Sequence, residues 1–286
     1  MENMGFLYGT YGGTDCRQVM TQIAPAGGYC FTLDDNIRFL EEITRSGAAS
    51  IFDHPYMRLF QKMHLRYNAK FQFNMFYSYT PGGFSLADVP DCWRSELEAN
   101  ADWMRFSFHA RYNDPPFPYE QSTAEEIRKD FCDVMWQIQR IAGKAATNST
   151  TTLHYVCTTK QACIALKKCG IRGLIGMFYP IEGRESLCYY LTPDQADQVR
   201  KKSFWADPET ELVFVRNDMV LNTVDLGHIR SELVREKKNF YQVMIHEQYF
   251  YPDYIHYQPD FAAKVEAALT YFTEMGLNAY FLEDLI

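Results

Sequence analysis

The chain has 286 residues, 47% of them hydrophobic, and a formal net charge of -8 with no basic block. That length suits one large α/β domain or two small ones, and the acidic balance excludes a nucleic-acid partner, which needs a cationic face. No apolar run approaches the roughly 18 residues of a membrane span, and Met1 to Thr14 hold neither a basic n-region nor a long apolar h-region, so neither a membrane partner nor a signal peptide is expected.

Strand-like and helix-like runs alternate along the chain, the pattern of a parallel sheet with crossover helices. Tyr29 to Leu33 reads as a strand and Tyr56 to Arg66 as a helix, with Met57, Phe60, Met63 and Leu65 near one face. Lys70 to Tyr77 is a strand of alternating aromatics, Cys92 to Ala101 a short helix and Met104 to Ala110 a strand. The proline-rich loop Arg111 to Gln121 leads into Ser122-Thr123-Ala124-Glu125-Glu126, a capping-box pattern. It opens a helix whose apolar stripe (Ile127, Phe131, Val134, Met135, Ile138, Ile141) runs to Gly143. Thr151 to Val156 is a strand, Lys160 to Cys169 a helix stopped by Gly170, and Gly173 to Phe178 a strand. Leu187 to Leu191 and Glu211 to Val215 look like shorter, antiparallel strands of an insertion around residues 180–225. Gly227 to Lys238 is a helix, Tyr241 to His246 a strand, Asp260 to Met275 a helix closed by Gly276, and Ala279 to Leu282 a final strand. A single domain over 1–286 with a decorated middle accounts for this order. Such repeated strand–helix units form a doubly wound sheet or a closed barrel. No G-x-G-x-x-G follows an early strand and Gly12-Gly13 stand alone, so a dinucleotide fold lacks its fingerprint.

The chemistry concentrates at strand ends. Phe31-Thr32-Leu33-Asp34-Asp35 places two carboxylates after a β-prone run, and crowding two like charges raises at least one pKa unless a cation intervenes. The bland alternative makes Asp35 the cap of a helix starting near Asn36. Three further apolar runs carry a histidine: Phe106-Ser107-Phe108-His109, Thr152-Leu153-His154 and Val243-Met244-Ile245-His246. Acid and histidine at several strand ends are what a metal-hydrolase site in an α/β barrel requires. His109 and His154 can each give one ring nitrogen to a metal, and His246, titrating near neutrality, can protonate a leaving group. His54, His64, His228 and His256 read as solvated. The 8 Cys form no C-x-x-C pair, which fits a reducing cytoplasm.

Taken in order, these stretches resemble the polysaccharide deacetylase family (carbohydrate esterase family 4). Thr32-Leu33-Asp34-Asp35 is similar to the Thr-Phe-Asp-Asp motif of that family, which implies Asp34 as general base and Asp35 as a metal ligand. His109-Ala110-Arg111-Tyr112-Asn113 stands where the family has His-x-x-x-His, with Asn113 in place of the second histidine. Leu153-His154-Tyr155 lies about where its Arg-Pro-Pro-Tyr strand end falls, and Val243-Met244-Ile245-His246 resembles its last motif. The tail, Met275-Gly276-Leu277 followed by Tyr280-Phe281-Leu282, also fits. The resemblance spans nearly all of the chain from Tyr29 and implies a distorted (β/α) barrel with about seven strands. Asp35, His109 and His154 form the expected metal set, with His154 replacing the absent histidine and Asn113 an alternative oxygen ligand. The expected cofactor is a divalent metal, zinc first.

The function expected on this basis is metal-dependent removal of an N- or O-acyl group from a carbohydrate or sugar precursor, with Asp34 and His246 as the catalytic pair. A small non-sugar amide is the close variant. The competing reading is a catalytically retired carbohydrate-binding relative, prompted by the altered second and third motifs. Metal-free glycoside cleavage by the acid pair ranks last, because adjacent residues rarely span the separation it needs.

Overall fold

The computed structural model describes residues 27–179 and 187–286, together with the backbone of a two-residue antiparallel ladder, Thr10–Tyr11 with Thr14–Asp15. Gly12-Gly13 and the first part of the expected insertion lie outside the described residues.

The chain is α/β with a parallel core. Strands β1 (Gly28–Asn36), β2 (Phe71–Phe76) and β3 (Met104–Ala110) lie side by side, and β9 (Phe240–His246) flanks β1 on the other edge, next to β8 (Met219–Val220). A second sheet holds β4 (Thr150–Thr151), β5 (Gly173–Gly176), β7 (Val213–Arg216) and the short β6 (Phe204–Ala206). Among the described strands of these two sheets, only β6 runs antiparallel to its neighbour. Helices α1 (Arg38–Ser46), α2 (Pro55–Tyr67), α3 (Arg94–Ala99), α4 (Ala124–Ala142), α5 (Lys160–Lys168), α6 (Pro193–Lys202), α7 (Ile229–Arg235) and α8 (Phe261–Glu274) make the connections, and β10 (Asn278–Ala279) pairs with the start of β1.

Backbone links join the two sheets at both ends. The Asn148 amide donates to the Phe106 carbonyl at 2.9 Å beside a parallel bridge from Phe106 to Thr147, which ties β3 to the approach of β4. Between β7 and β8, the Asn217 amide donates to Gly176 and the Asp218 amide to Gln242, each at 2.7 Å, so one segment pairs with β5 on one side and β9 on the other. The circuit β1, β2, β3, β4, β5, β7–β8, β9 is the irregular barrel-like ring that the resemblance implies.

Alternation along the strands separates outside from inside. Phe31, Leu33, Phe71, Phe73, Phe106, Phe108, Val243 and Ile245 belong to the main core, shared with Phe39, Phe60, Ile138 and Leu269 of the helices. The opposite faces of the ring strands form a second, smaller cluster of Cys30, Ile175, Val213, Val215, Val220, Phe240 and Met244, joined by Leu282 and Leu285 of the C-terminal segment. That segment is held by ions as well: Glu283 accepts from Arg105 at 2.5 Å and from the Ser149 amide and hydroxyl at 2.7 Å. The interior faces of β1 to β4 are polar instead, with Thr32, Asp34, Gln72, Asn74, Ser107 and Thr150 all buried.

Several local readings need correction. Leu187 to Leu191 is a turn rather than a strand, the helix α6 follows it, and β7 runs parallel to β5. The strand expected over Thr151 to Val156 is only two residues long, because His154–Val156 turn as a 3-10 helix. Leu65, placed near the apolar face of α2, is 76% exposed. His54 is buried: it caps α2 by accepting the Tyr56 amide at Nδ1 (3.2 Å) and sets Nε2 3.1 Å from Glu42. His64 is half-buried and stacks on Trp103 at 4.6 Å. Among the described residues, no helix is long and apolar enough to cross a membrane, and no disulfide joins the cysteines.

Candidate metal centre

Parallel strands deliver their C-terminal ends to one mouth, where sites on such sheets form. Asp34 and Asp35 close β1, His109 closes β3, His154 follows β4, and His246 ends β9 directly opposite Asp34 in register.

Two irregularities aim the side chains. Between Leu33 and Asn36 the β1–β2 register slips, so Asp34 and Asp35 together face Asn74, and Asp35 takes a left-handed φ of 64°. Between Met75 and Phe76 the β2–β3 register slips again, leaving His109 as the extra residue of β3. A bulge turns an extra residue out of the ladder and re-aims its side chain. In a regular strand, adjacent aspartates would point to opposite faces; here both are buried at the mouth. Asn36 clamps the first bulge, donating to the carbonyls of Leu33 and Asn74 while its own Oδ1 accepts the Tyr56 hydroxyl.

Asp35, His109 and His154 come together, with their ligand atoms within 4.8 Å of one another. Asp35 Oδ1 lies 2.9 Å from His109 Nε2 and 3.2 Å from His154 Nδ1, and the two ring nitrogens are 3.2 Å apart. Four ligands at about 2.0–2.1 Å around a tetrahedral zinc would stand about 3.3 Å apart. The outer nitrogens fix the tautomers. His109 Nδ1 faces the Thr152 carbonyl at 2.5 Å, and His154 Nε2 faces the Asn113 carbonyl at 3.1 Å. A carbonyl only accepts, so the single proton of each neutral ring sits there. Burial keeps His109 on the neutral side by lowering its pKa, although Asp35 opposes this. With each ring's outer nitrogen set against a carbonyl, the inner nitrogens His109 Nε2 and His154 Nδ1 converge with Asp35 Oδ1 as a group that could hold a metal ion.

Asn113 meets this cluster only through its carbonyl. Its side-chain amide is 3.1 Å from Asp114, which leaves His154 as the third candidate ligand.

The paired carboxylates are pushed apart electrostatically. Burial drives the Asp34 carboxyl well above its ordinary range and the charge of Asp35 adds to this, against the Asn74 hydrogen bond. Burial acts on Asp35 too, but His109 and His154 outweigh it and hold that carboxyl well below the usual range. Opposite shifts in adjacent acids are the pattern of divided roles.

His246 is oriented by Asn222. Asn222 Oδ1 accepts the His246 backbone amide at 3.1 Å, which identifies it as oxygen, so His246 Nδ1 at 2.9 Å must be the donor and Nε2 carries the lone pair of the neutral ring. Burial lowers its pKa, against the pull of Asp35. Half-buried Tyr79, Tyr155 and Tyr249 surround this region, close enough for the charge of Asp35 to raise their hydroxyl pKa values further after burial has done so.

Glu247, next in sequence, is not part of the site. Its carboxylate accepts the amides of Ile37, Arg38 and Phe39 at 2.7–3.0 Å and the Tyr251 hydroxyl at 2.7 Å. It thus caps α1 from 210 residues away, the task the bland reading gave to Asp35. Asp218 is likewise structural, paired with Arg216 at 2.7 Å and Lys238 at 2.6 Å.

No family model and no curated protein matches the chain. Solved structures do resemble it. A 4-alpha-glucanotransferase from Thermococcus litoralis aligns at 10% identity over 90% of this chain and 40% of that one, with a TM-score of 0.50. A CE4-family pseudoenzyme from Bacillus anthracis aligns at 11% identity over 91% of this chain and 66% of its own, with a TM-score of 0.40. A protein of polysaccharide deacetylase type from Mycobacterium smegmatis aligns at 10% identity, covering 89% and 86%, with a TM-score of 0.42. The first of these likenesses shows a shared fold; none assigns a reaction.

Proposed function

We propose that the chain is a metal-dependent hydrolase that removes an acyl group from a carbohydrate or sugar precursor. The observation that carries this reading is the convergence of Asp35 Oδ1, His109 Nε2 and His154 Nδ1 within 4.8 Å of one another, with the outer nitrogen of each ring set against a backbone carbonyl. Two imidazoles and a carboxylate in a buried site suit zinc or a neighbouring first-row divalent ion. When bound, the ion polarises a carbonyl and lowers the pKa of water.

The chain's own residues supply the remainder. Asp34, whose carboxylate meets Asn74 at 2.6 Å at the mouth, accepts the proton of the attacking water. In its imidazolium form His246 carries a second proton on Nε2, while Nδ1–H stays bonded to Asn222; it passes the Nε2 proton to the departing amine or alcohol and returns to the neutral ring. Tyr79, Tyr155 and Tyr249 offer ring faces to the sugar and exclude water from the reacting centre.

Acetate release tests the reading. The zinc-, cobalt- or nickel-loaded protein should release acetate from at least one of chitotetraose, N-acetylglucosamine and an acetylated xylo-oligosaccharide. A chelator should abolish release and added metal restore it. A metal-loaded protein that binds these sugars and releases nothing would instead make the chain a retired binder.

A further inference from the structure

The proposed base has no cation beside it in β2 or β3: Asn74 Nδ2 lies 2.6 Å from Asp34 Oδ1, and the Thr152 hydroxyl also acts on this carboxyl. Which end of an amide faces a carboxylate decides whether the contact holds it or repels it, and the interior of the ring settles that question one group at a time. Gln72 sits 2.7 Å from the Thr150 carbonyl, which only accepts, so the group there is Nε2. The same Nε2 is 2.8 Å from Asn74, so Asn74 turns its oxygen toward Gln72 and its nitrogen toward Asp34. The far side of Gln72 is compatible with this: its Oε1 lies 3.0 Å from the Thr150 hydroxyl, which also faces Asn148 Oδ1 at 2.9 Å. Thr150 is itself registered by Asn148, whose Oδ1 accepts the Thr150 amide at 2.9 Å. Asn74 and Thr150 are fully buried and Gln72 is 3% exposed, so water does not compete for these groups. Reversing either amide would set oxygen against oxygen in a dry interior, at the cost of an unsatisfied buried group.

We propose that Asn74, locked by Gln72, is the positioning residue of Asp34: a buried amide chain of fixed polarity that holds the carboxylate in one orientation at the mouth. The proposal rests on the reading of Asp34 as the base. Polar residues in the interior faces of β2 and β4 thereby acquire a purpose that packing alone does not give them.

Three measurements test it. In crystal structures, Asp34 should occupy one conformer in the wild type and spread over several in Asn74→Leu, with Gln72→Met giving a weaker form of the same change. An unmoved Asp34 in both variants would overturn the proposal. In turnover of 4-nitrophenyl acetate, Asn74→Leu should lower kcat by about 10–100-fold, the range a small misplacement costs, with KM and zinc affinity unchanged. Combined with Asp34→Asn, Asn74→Leu should cost nothing more, whereas a merely structural asparagine would add its loss to any background. If Asp34→Asn alone retains full activity, the base assignment fails while the conformer test still judges the amide chain. If Asp34→Asn is inactive and Asn74→Leu is not impaired, the positioning role fails alone.

Discussion

Replacing His109 or His154 with alanine should weaken zinc binding by more than about 100-fold, beyond what losing an outer partner of a ligand costs. Each removes one of three converging ligand atoms that stand 2.9–3.2 Å apart. Competition against a chromogenic chelator reads the loss directly. The informative comparison is Asn113→Ala, which should bind zinc within a few-fold of wild type, because Asn113 supports His154 through a backbone carbonyl that the substitution retains. Should His154→Ala bind as tightly as the wild type while Asn113→Ala does not, the third ligand is misassigned.

The second large effect separates two adjacent, chemically identical residues. Asp34→Asn should lower acyl hydrolysis by about 10²–10⁴-fold, the range of a general base, and leave metal affinity within a few-fold. Asp35→Asn should release the metal, and activity with it. The distinction follows from the left-handed bulge: Asp35 turns to the two histidines, whereas Asp34 continues the interior row of β1 and meets Asn74. The reverse pattern, with metal lost in Asp34→Asn and kept in Asp35→Asn, would exchange the two roles.

Much of the fold was legible because strand and helix periods differ and the caps are local. Thr123 and Glu126 form the expected box, and the stripe from Ile127 to Ile141 is buried as its spacing requires. The strand Met104–Ala110 has the expected bounds. The cluster of Asp35, His109 and His154 was legible for a related reason: all three follow apolar runs, and parallel runs end at one mouth. Leu187 to Leu191 misled because apolar residues in a turn share the composition of a short strand. His54 misled because a histidine before Pro55 looks like a loop residue, while its burial depends on Glu42 and the ring of Tyr251 elsewhere in the chain.

The amide chain was the least legible part, yet it left a trace. Phe71-Gln72-Phe73-Asn74 alternates aromatic and amide residues, and the aromatics drew notice while the amides did not. In a strand covered by helices on one face, the polar alternate residues must face something polar, here the interior that carries Asp34. Glu247 and Asn222 had no such signal, since each acts on a segment far away in sequence.

X-ray absorption at the zinc edge of the purified wild-type protein bears most directly on the metal centre. One ion per chain, with nitrogen and oxygen neighbours at about 2.0–2.1 Å and an imidazole scattering pattern lost in His109→Ala, is the expected spectrum. A protein that takes up no ion, or one whose ion is ringed by sulfur, would contradict it.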